Sequence, residues 1–241
     1  GSGAFMKTAE AARALATSLV ETANAAGCPT LALITDMNQP LVRSLGNALE
    51  VAEVMRALTG QPKAGEDGHS TRAVLDLTVS LGGVLLQQAG LAATLAEAEA
   101  QIAAVLDDGR AAERFARMVA AQGGPADFVE EWHRVLPEAP VILEVTSPEA
   151  GYVSAIDGEA LGLTVVRLGG GRMVEHDTVD PAVGISDLQP LGTKLASGDV
   201  IARIHAARPE AAQAAASALR AAVTVAPAAP VLPPLIHERI G

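Results

Sequence analysis

Asp36, Met37 and Asn38 follow directly on the apolar run TLALIT (30–35), with Gln39 and Pro40 behind them. That run reads as a buried strand of a parallel sheet. In open α/β sheets ligands gather beyond the carboxyl ends of the strands, so this loop has the best position in the chain for chemistry. Asp36 and Asn38 could orient the loop or cap the next helix, and capping is the expected role. The five histidines, His69, His133, His176, His205 and His237, are scattered. No pair has HExxH spacing and no Ser or Cys partner is visible, so none is read as catalytic. The run Gly169-Gly170-Gly171-Arg172 could cradle an anion, but a hairpin connection is the expected reading. Cys28 is the single cysteine. It excludes an intrachain disulfide and a thiolate metal cluster, and it fits a reducing, cytoplasmic setting.

These residues need elements to hold them. Residues 8–26 carry Ala12, Leu15, Ala16, Leu19, Val20 and Ala23 at three-four spacing, which predicts a helix ended by Gly27. A second helix is expected over 44–58, closed by Gly60. Residues 61–69 read as a polar loop, and Ser70 as the cap of a helix reaching Gln88. Thr94-Leu95-Ala96-Glu97 is a capping box for a helix ended by Gly109. A further helix is expected over 110–122, and Pro125 suits the first residue of a short one reaching His133. From Pro137 the character changes. VILEVTS, GYVSAI, LTVVRL, VGIS and DVIARIHA are short, β-branched and punctuated by Gly, Pro and Asp, a strand pattern. One Ala-rich helix is expected over 209–222, and a proline-rich extended tail after it.

Composition sets the outer limits. The chain has 241 residues, of which 49% are hydrophobic and 2% aromatic. It therefore folds around Ala, Val and Leu, with few rings to stack on bases. A net charge of −11 repels phosphate backbones, so no nucleic-acid partner is expected. Charges, Gly or Pro interrupt every apolar run, so no membrane span is expected. GSGAFMKTAE lacks the basic start and apolar core of a signal peptide.

The segments GSGAFMK (1–7), TLALITDMNQPL (30–41), GNALEVAEVMRALTG (46–60), AAERFARMVAAQGGPADFVE (111–130), DPAVGI (180–185) and GDVIARIHA (198–206) resemble, in order and spacing, the thymidine/pyrimidine-nucleoside phosphorylase family. The resemblance runs from the first residue to the last. It implies an α/β fold class: part of a nucleoside phosphorylase α/β domain, helices with a parallel-sheet strand, followed by a C-terminal α+β domain. The implied division is 1–136 for the C-terminal portion of the central domain and 137–241 for the C-terminal domain. It also implies that GSGAFMK is internal and that a preceding N-terminal part, absent here, carries the Lys-His-Ser and Gly-rich phosphate loops and the Arg, Ser and Lys that hold the base. The implied reaction is phosphorolysis of thymidine or uridine to free base and (deoxy)ribose 1-phosphate, with phosphate as co-substrate and a homodimer as the full-length assembly.

Within this chain the resemblance carries over few site residues, and no catalytic one. Phe5 matches an aromatic edge of the base pocket, where its face would pack on a pyrimidine; the alternative is a plain core phenylalanine. Leu41, Ser44 and Glu53 match potassium ligands of some bacterial members, two through backbone carbonyls and one through its carboxylate. For Glu53 the alternative is a solvated helix face. Val42 stands where the family usually has Gly. Lys194 lies in LGTKLASGDV, which resembles the hairpins of biotinyl and lipoyl carriers without their Met-Lys-Met type tip, and is expected to be unmodified. The chain alone is expected to be inactive; the other reading is a non-catalytic scaffold or interaction domain derived from the family.

Overall fold

Thr8 begins the first element: its hydroxyl accepts the Ala11 N–H at 3.2 Å and caps helix α1, Ala9–Ala25. The computed structural model describes residues 1–61 and 69–241, the side chains of residues 69 and 70 excepted. The polar loop and Ser70 cap expected from the sequence lie outside the described residues. Contacts divide the chain into two compact units, Gly1–Leu49 with Glu138–Gly241, and Glu50–Pro137.

In the first unit, the Asn24 side chain turns the chain after α1, accepting the Thr30 N–H at 2.8 Å and donating to the Thr30 carbonyl at 2.9 Å. Strand β1, Ala32–Thr35, follows. Its neighbour is the last strand, Ile236–Ile240, paired antiparallel with Ala32 opposite Ile240. The architecture is mixed α/β as expected, but this pairing is antiparallel where a parallel-sheet strand was expected. The reason lies in the tail. Its prolines end at Pro234, and Ile236, Glu238 and Ile240 then alternate on the half-buried face while His237 and Arg239 point out.

The rest of this unit is built on two three-stranded antiparallel sheets. Strands β2 (Val141–Thr146), β3 (Gly151–Ile156), β4 (Gly184–Ser186), β5 (Lys194–Leu195), β6 (Val200–Ala206), β7 (Val223–Ala226) and β8 (Ile236–Ile240) complete the set. The first sheet has the order β2-β6-β4 and the second β5-β3-β7. The long Ala-rich helix Pro209–Ala222 lays Ala212, Ala215, Ala216 and Leu219 against the shared core. Small side chains there let helix and sheet approach closely, which is how a chain so poor in rings fills its interior.

One expected strand is a helix. Residues 163–168 fall in Gly158–Val165 and the π turn Val166–Gly170 that continues it. The Asp157 carboxylate accepts the Ala160 N–H at 3.1 Å and caps this helix. Leu161, Val165 and Leu168 then recur at helical spacing, and all are buried. The β-branched run hides that period. Gly169 and Gly170 consequently close a helix, and the expected hairpin at 169–172 is not formed.

Two glycines make the crossing that ties the front of the unit to its sheet. Leu45 and Ile185 exchange backbone hydrogen bonds of 2.9 and 2.8 Å. A Cβ on Gly46 would fall 2.6 Å from the Val183 carbonyl, and one on Gly184 would fall 2.2 Å from the Leu45 carbonyl. Both residues also have positive φ, 134° and 157°, so only glycine fits twice over.

The second unit is helical: the greater part of α2 (Asn47–Thr59), then α3 (His69–Gln88), α4 (Leu95–Asp107), α5 (Arg110–Ala121) and α6 (Phe128–Val135). The capping box forms, with the Thr94 hydroxyl accepting the Glu97 N–H at 3.2 Å while the Glu97 carboxylate accepts the Ala93 N–H at 3.1 Å. Gly83 lets α3 and α4 touch, since a Cβ there would meet Glu99 Cγ at 2.5 Å. Phe115 and Phe128 pack at 6.2 Å between ring centroids, and the Arg56 guanidinium lies 5.5 Å over the Trp132 ring. Together with helices α7 (Gly158–Val165) and α8 (Pro209–Ala222) of the first unit, these complete the labelled helices.

Ile204 of β6 is fully buried and Ile142 of β2 is 56% exposed. Ile204→Ala should therefore cost about 2–5 kcal/mol, and Ile142→Ala less than about 0.5 kcal/mol. Urea unfolding midpoints at constant slope measure both. Equal losses would place the core elsewhere.

Candidate functional site

The end of β1 fixes the loop 36–40. The Asp36 N–H donates to the Leu235 carbonyl at 2.9 Å. The Asp36 carboxylate, almost fully buried, accepts the Asn38 N–H at 3.1 Å and the Asn38 side-chain amide as well. His237 of β8 reaches the same carboxylate, Nε2 to Oδ1 at 3.3 Å. Asp36 thus folds its own loop as an Asx turn and does not cap α2, which starts only at Asn47. The expected capping role is corrected on that ground: the nearest N–H two residues on is a closer partner than a distant helix end.

Around this loop lies an open groove of about 560 Å³. Its floor is β1 and the face of α1 bearing Leu15, Ala16 and Leu19; its ends are the segment 1–8 and the pair Asp36–His237. The lining is mostly apolar, and Thr35, Asp36, Asn38 and His237 put polar groups at the carboxyl end of the strand. Phe5 lines this groove and is 89% exposed in this chain. Arg13 of α1 clamps β8 in place, its guanidinium 2.7 Å from the Glu238 carboxylate. The hydrogen bond from Arg13 holds the Glu238 carboxyl below the usual range, and Glu238 in turn raises Arg13.

The segment carrying Phe5 is tied down at both ends. The Ser2 hydroxyl donates to Asp157 Oδ1 at 2.9 Å, and Lys7 Nζ meets Glu159 Oε2 at 2.6 Å. Asp157 titrates below the ordinary range, first because of the Ala160 N–H and then because of Ser2.

Leu41 and Ser44 belong to the first unit, with Ser44 buried. Glu53 belongs to the second, where it is also buried, against the expected solvated face, with Arg56 Nη1 3.4 Å from its carboxylate. Among the described residues no group of three or more His, Cys, Asp or Glu could hold a metal ion. Lys194 is exposed within β5, opposite Tyr152. The turn that follows is made by Gly198, with φ 93°, and by Asp199, whose carboxylate accepts the Ala196 N–H at 2.7 Å.

Two histidine contacts were not legible in the sequence. His237 meets Asp36 across 201 residues. His205 meets the buried Ser186 hydroxyl at 2.9 Å, because β4 and β6 pair with Ser186 opposite Arg203. The expectation that no histidine has a serine partner is corrected here. The same hydroxyl is 3.1 Å from Asp187 Oδ2, which Arg203 meets at 2.6 Å while also reaching Glu144 at 3.0 Å. The hydroxyl sits in the middle of this chain, where a nucleophilic relay would need the imidazole. It is a clamp across the β2-β6-β4 sheet. His133 edges Trp132 at 6.0 Å and His176 is exposed; the side chain of His69 lies outside the described residues.

Residues 1–112 match the family described as "Glycosyl transferase family, a/b domain", and residues 152–226 match "Pyrimidine nucleoside phosphorylase C-terminal domain". The whole chain is similar to a thymidine phosphorylase of Agrobacterium fabrum, at 45% identity over 240 residues. That alignment takes 100% of this chain and 53% of the relative, so the chain spans about half the relative's length.

Because the Glu238 carboxyl is held low in the fold, its contribution is present above the unfolded value of about 4.3 and is lost as pH falls through the folded one. Protection of the β8 amides against exchange should therefore drop on acidification through that window. Glu238→Gln should flatten the dependence. Identical profiles for the two proteins would remove Arg13–Glu238 from the account of the groove.

Proposed function

Since the chain belongs to the thymidine/pyrimidine-nucleoside phosphorylase family, we propose that it supplies one side of the nucleoside cleft of such an enzyme. The reaction is phosphorolysis. A phosphate oxygen attacks C1′ of thymidine or uridine, the N-glycosidic bond breaks, and its electron pair leaves with the base, which takes up a proton. The products are the free pyrimidine and (deoxy)ribose 1-phosphate. The observation that carries this reading is the 45% identity over the length of the chain. The groove at the carboxyl end of β1 supports it, because that edge is where such folds collect ligands.

In this reading Phe5 offers its ring face to the pyrimidine. The phosphate and base ligands come from an N-terminal part joined to this chain, and 1–136 and 137–241 are the central-domain portion and the C-terminal domain of the whole enzyme. A cytoplasmic homodimer is the assembly we propose. Among the described residues no helix is long and apolar enough to cross a membrane. Potassium remains part of the proposal: the Leu41 and Ser44 carbonyls and the Glu53 carboxylate are hard oxygen donors of the type it prefers.

The chain alone, with thymidine and phosphate, should release no thymine above a blank. Removing one preorganised donor from such a site costs about a hundredfold or more in rate, and here the whole donor set is to come from elsewhere. Joined to the N-terminal half of a family member, the chain should release thymine in proportion to added phosphate. Turnover by the chain alone, or a folded joined protein with no phosphate-dependent release, would overturn the proposal. The second result would favour a non-catalytic scaffold.

A further inference from the structure

We propose that Ser2, Lys7, Asp157 and Glu159 form a two-point clasp that positions Phe5, and that the start of helix α7 thereby sets the aromatic edge of the base pocket. The inference rests on the reading of Phe5 as a base-facing residue. Two of its residues, Asp157 and Glu159, are remote in sequence from that phenylalanine.

Phe5 is 89% exposed. An aromatic so exposed gains little positional definition from packing, and a short segment around it has many conformations to lose. Its placement must come from elsewhere. The tethers stand at positions 2 and 7, on either side of it. At the first, Ser2 donates to Asp157 Oδ1 at 2.9 Å. That oxygen also accepts the Ala160 N–H at 3.1 Å, so it is already fixed in the helix frame before Ser2 arrives. At the second, Lys7 Nζ lies 2.6 Å from Glu159 Oε2. Between them the Ala4 N–H donates to the Gly1 carbonyl at 3.1 Å and closes a turn. Backbone bounds the segment on two sides. A Cβ on Gly1 would fall 1.8 Å from the Met37 carbonyl, and one on Gly3 would stand 3.7 Å from the Glu159 nitrogen. The segment thus runs between the Asx-turn loop of β1 and the first turn of α7.

The base of the clasp is rigid. α7 buries Leu161 completely and Val165 to 9% exposure within the same core that holds β6 and α8. A single exposed ion pair holds little by itself. Here the two links span 155 and 152 residues of chain and share one anchor helix. Once either forms, the other is an intramolecular closure over five residues, and the pair acts together. The C-terminal part of the chain in this way reaches the substrate through Phe5.

The test uses Lys7→Glu, Glu159→Lys and the exchanged pair Lys7→Glu/Glu159→Lys. In the 241-residue chain, both single variants should take up deuterium faster over residues 1–7, with melting unchanged because both side chains are exposed. The exchanged pair should return most of the protection. In the joined enzyme the single variants should raise the KM for thymidine about two- to fivefold, the range expected of an exposed pair, with kcat little changed. The exchanged pair should recover the lower KM. Unchanged exchange over residues 1–7, or a pair no better than the single variants, would overturn the clasp. Faster exchange with an unmoved KM would overturn its link to the base. An inactive joined enzyme would instead count against the phosphorylase reading, while the exchange measurement still decides the clasp.

Discussion

The crossing of Gly46 and Gly184 is the constraint on which the first unit turns. Each glycine takes a backbone conformation that a side chain resists, and each has a carbonyl of the facing segment where its Cβ would be. The close approach lets Leu45 and Ile185 bond as if they were neighbours in a sheet. Arg43 extends the same seam, donating from Nε to the Leu188 carbonyl at 3.0 Å while its own carbonyl accepts the Leu188 N–H. The loop that leaves β1 is therefore not free to choose its path. It is stitched to β4, and β4 is held to β6 by the Ser186, Asp187 and Arg203 clamp. Asp187 itself sits at φ 56°, a conformation that asparagine and aspartate tolerate better than most residues.

This seam joins parts that are far apart in the chain but adjacent in the fold. Residues 1–49 bring the groove, and residues 138–241 bring the sheets and the helix that brace it. The brace works through backbone contacts and a few partly buried charges. That suits a chain with 2% aromatic residues, which has few large rings for locking one layer to another.

What the sequence disclosed was local. The capping box at Thr94, the apolar stripe of α1 and the Ala-rich run of α8 are each written within a few turns of helix, and all can be read without knowing the fold. The run 163–168 was misread because Thr, Val and Val favour strands in isolation, while the cap that makes them helical, Asp157, lies further upstream. Asp36 was misassigned because a capping carboxylate and an Asx-turn carboxylate use the same chemistry and differ only in which N–H is near. The contacts of His205 and His237 depend on strand register, which no window of sequence contains. Nothing in the motif around Phe5 points to the carboxylates at 157 and 159 that meet Ser2 and Lys7.

The antiparallel pair β1–β8 has a consequence for the birth of the protein. The two strands meet across 201 positions, with His237 on Asp36. On the ribosome β1 waits for β8 until the stretch from Asp36 to His237, a separation of 201 residues, has been made. Unpaired edges of this kind invite contact with other nascent chains. The apolar lining of the groove is therefore a hazard during synthesis until β8 pairs with β1. A chain halted a few codons before Ile236 would carry most of this unit's core and no finished groove.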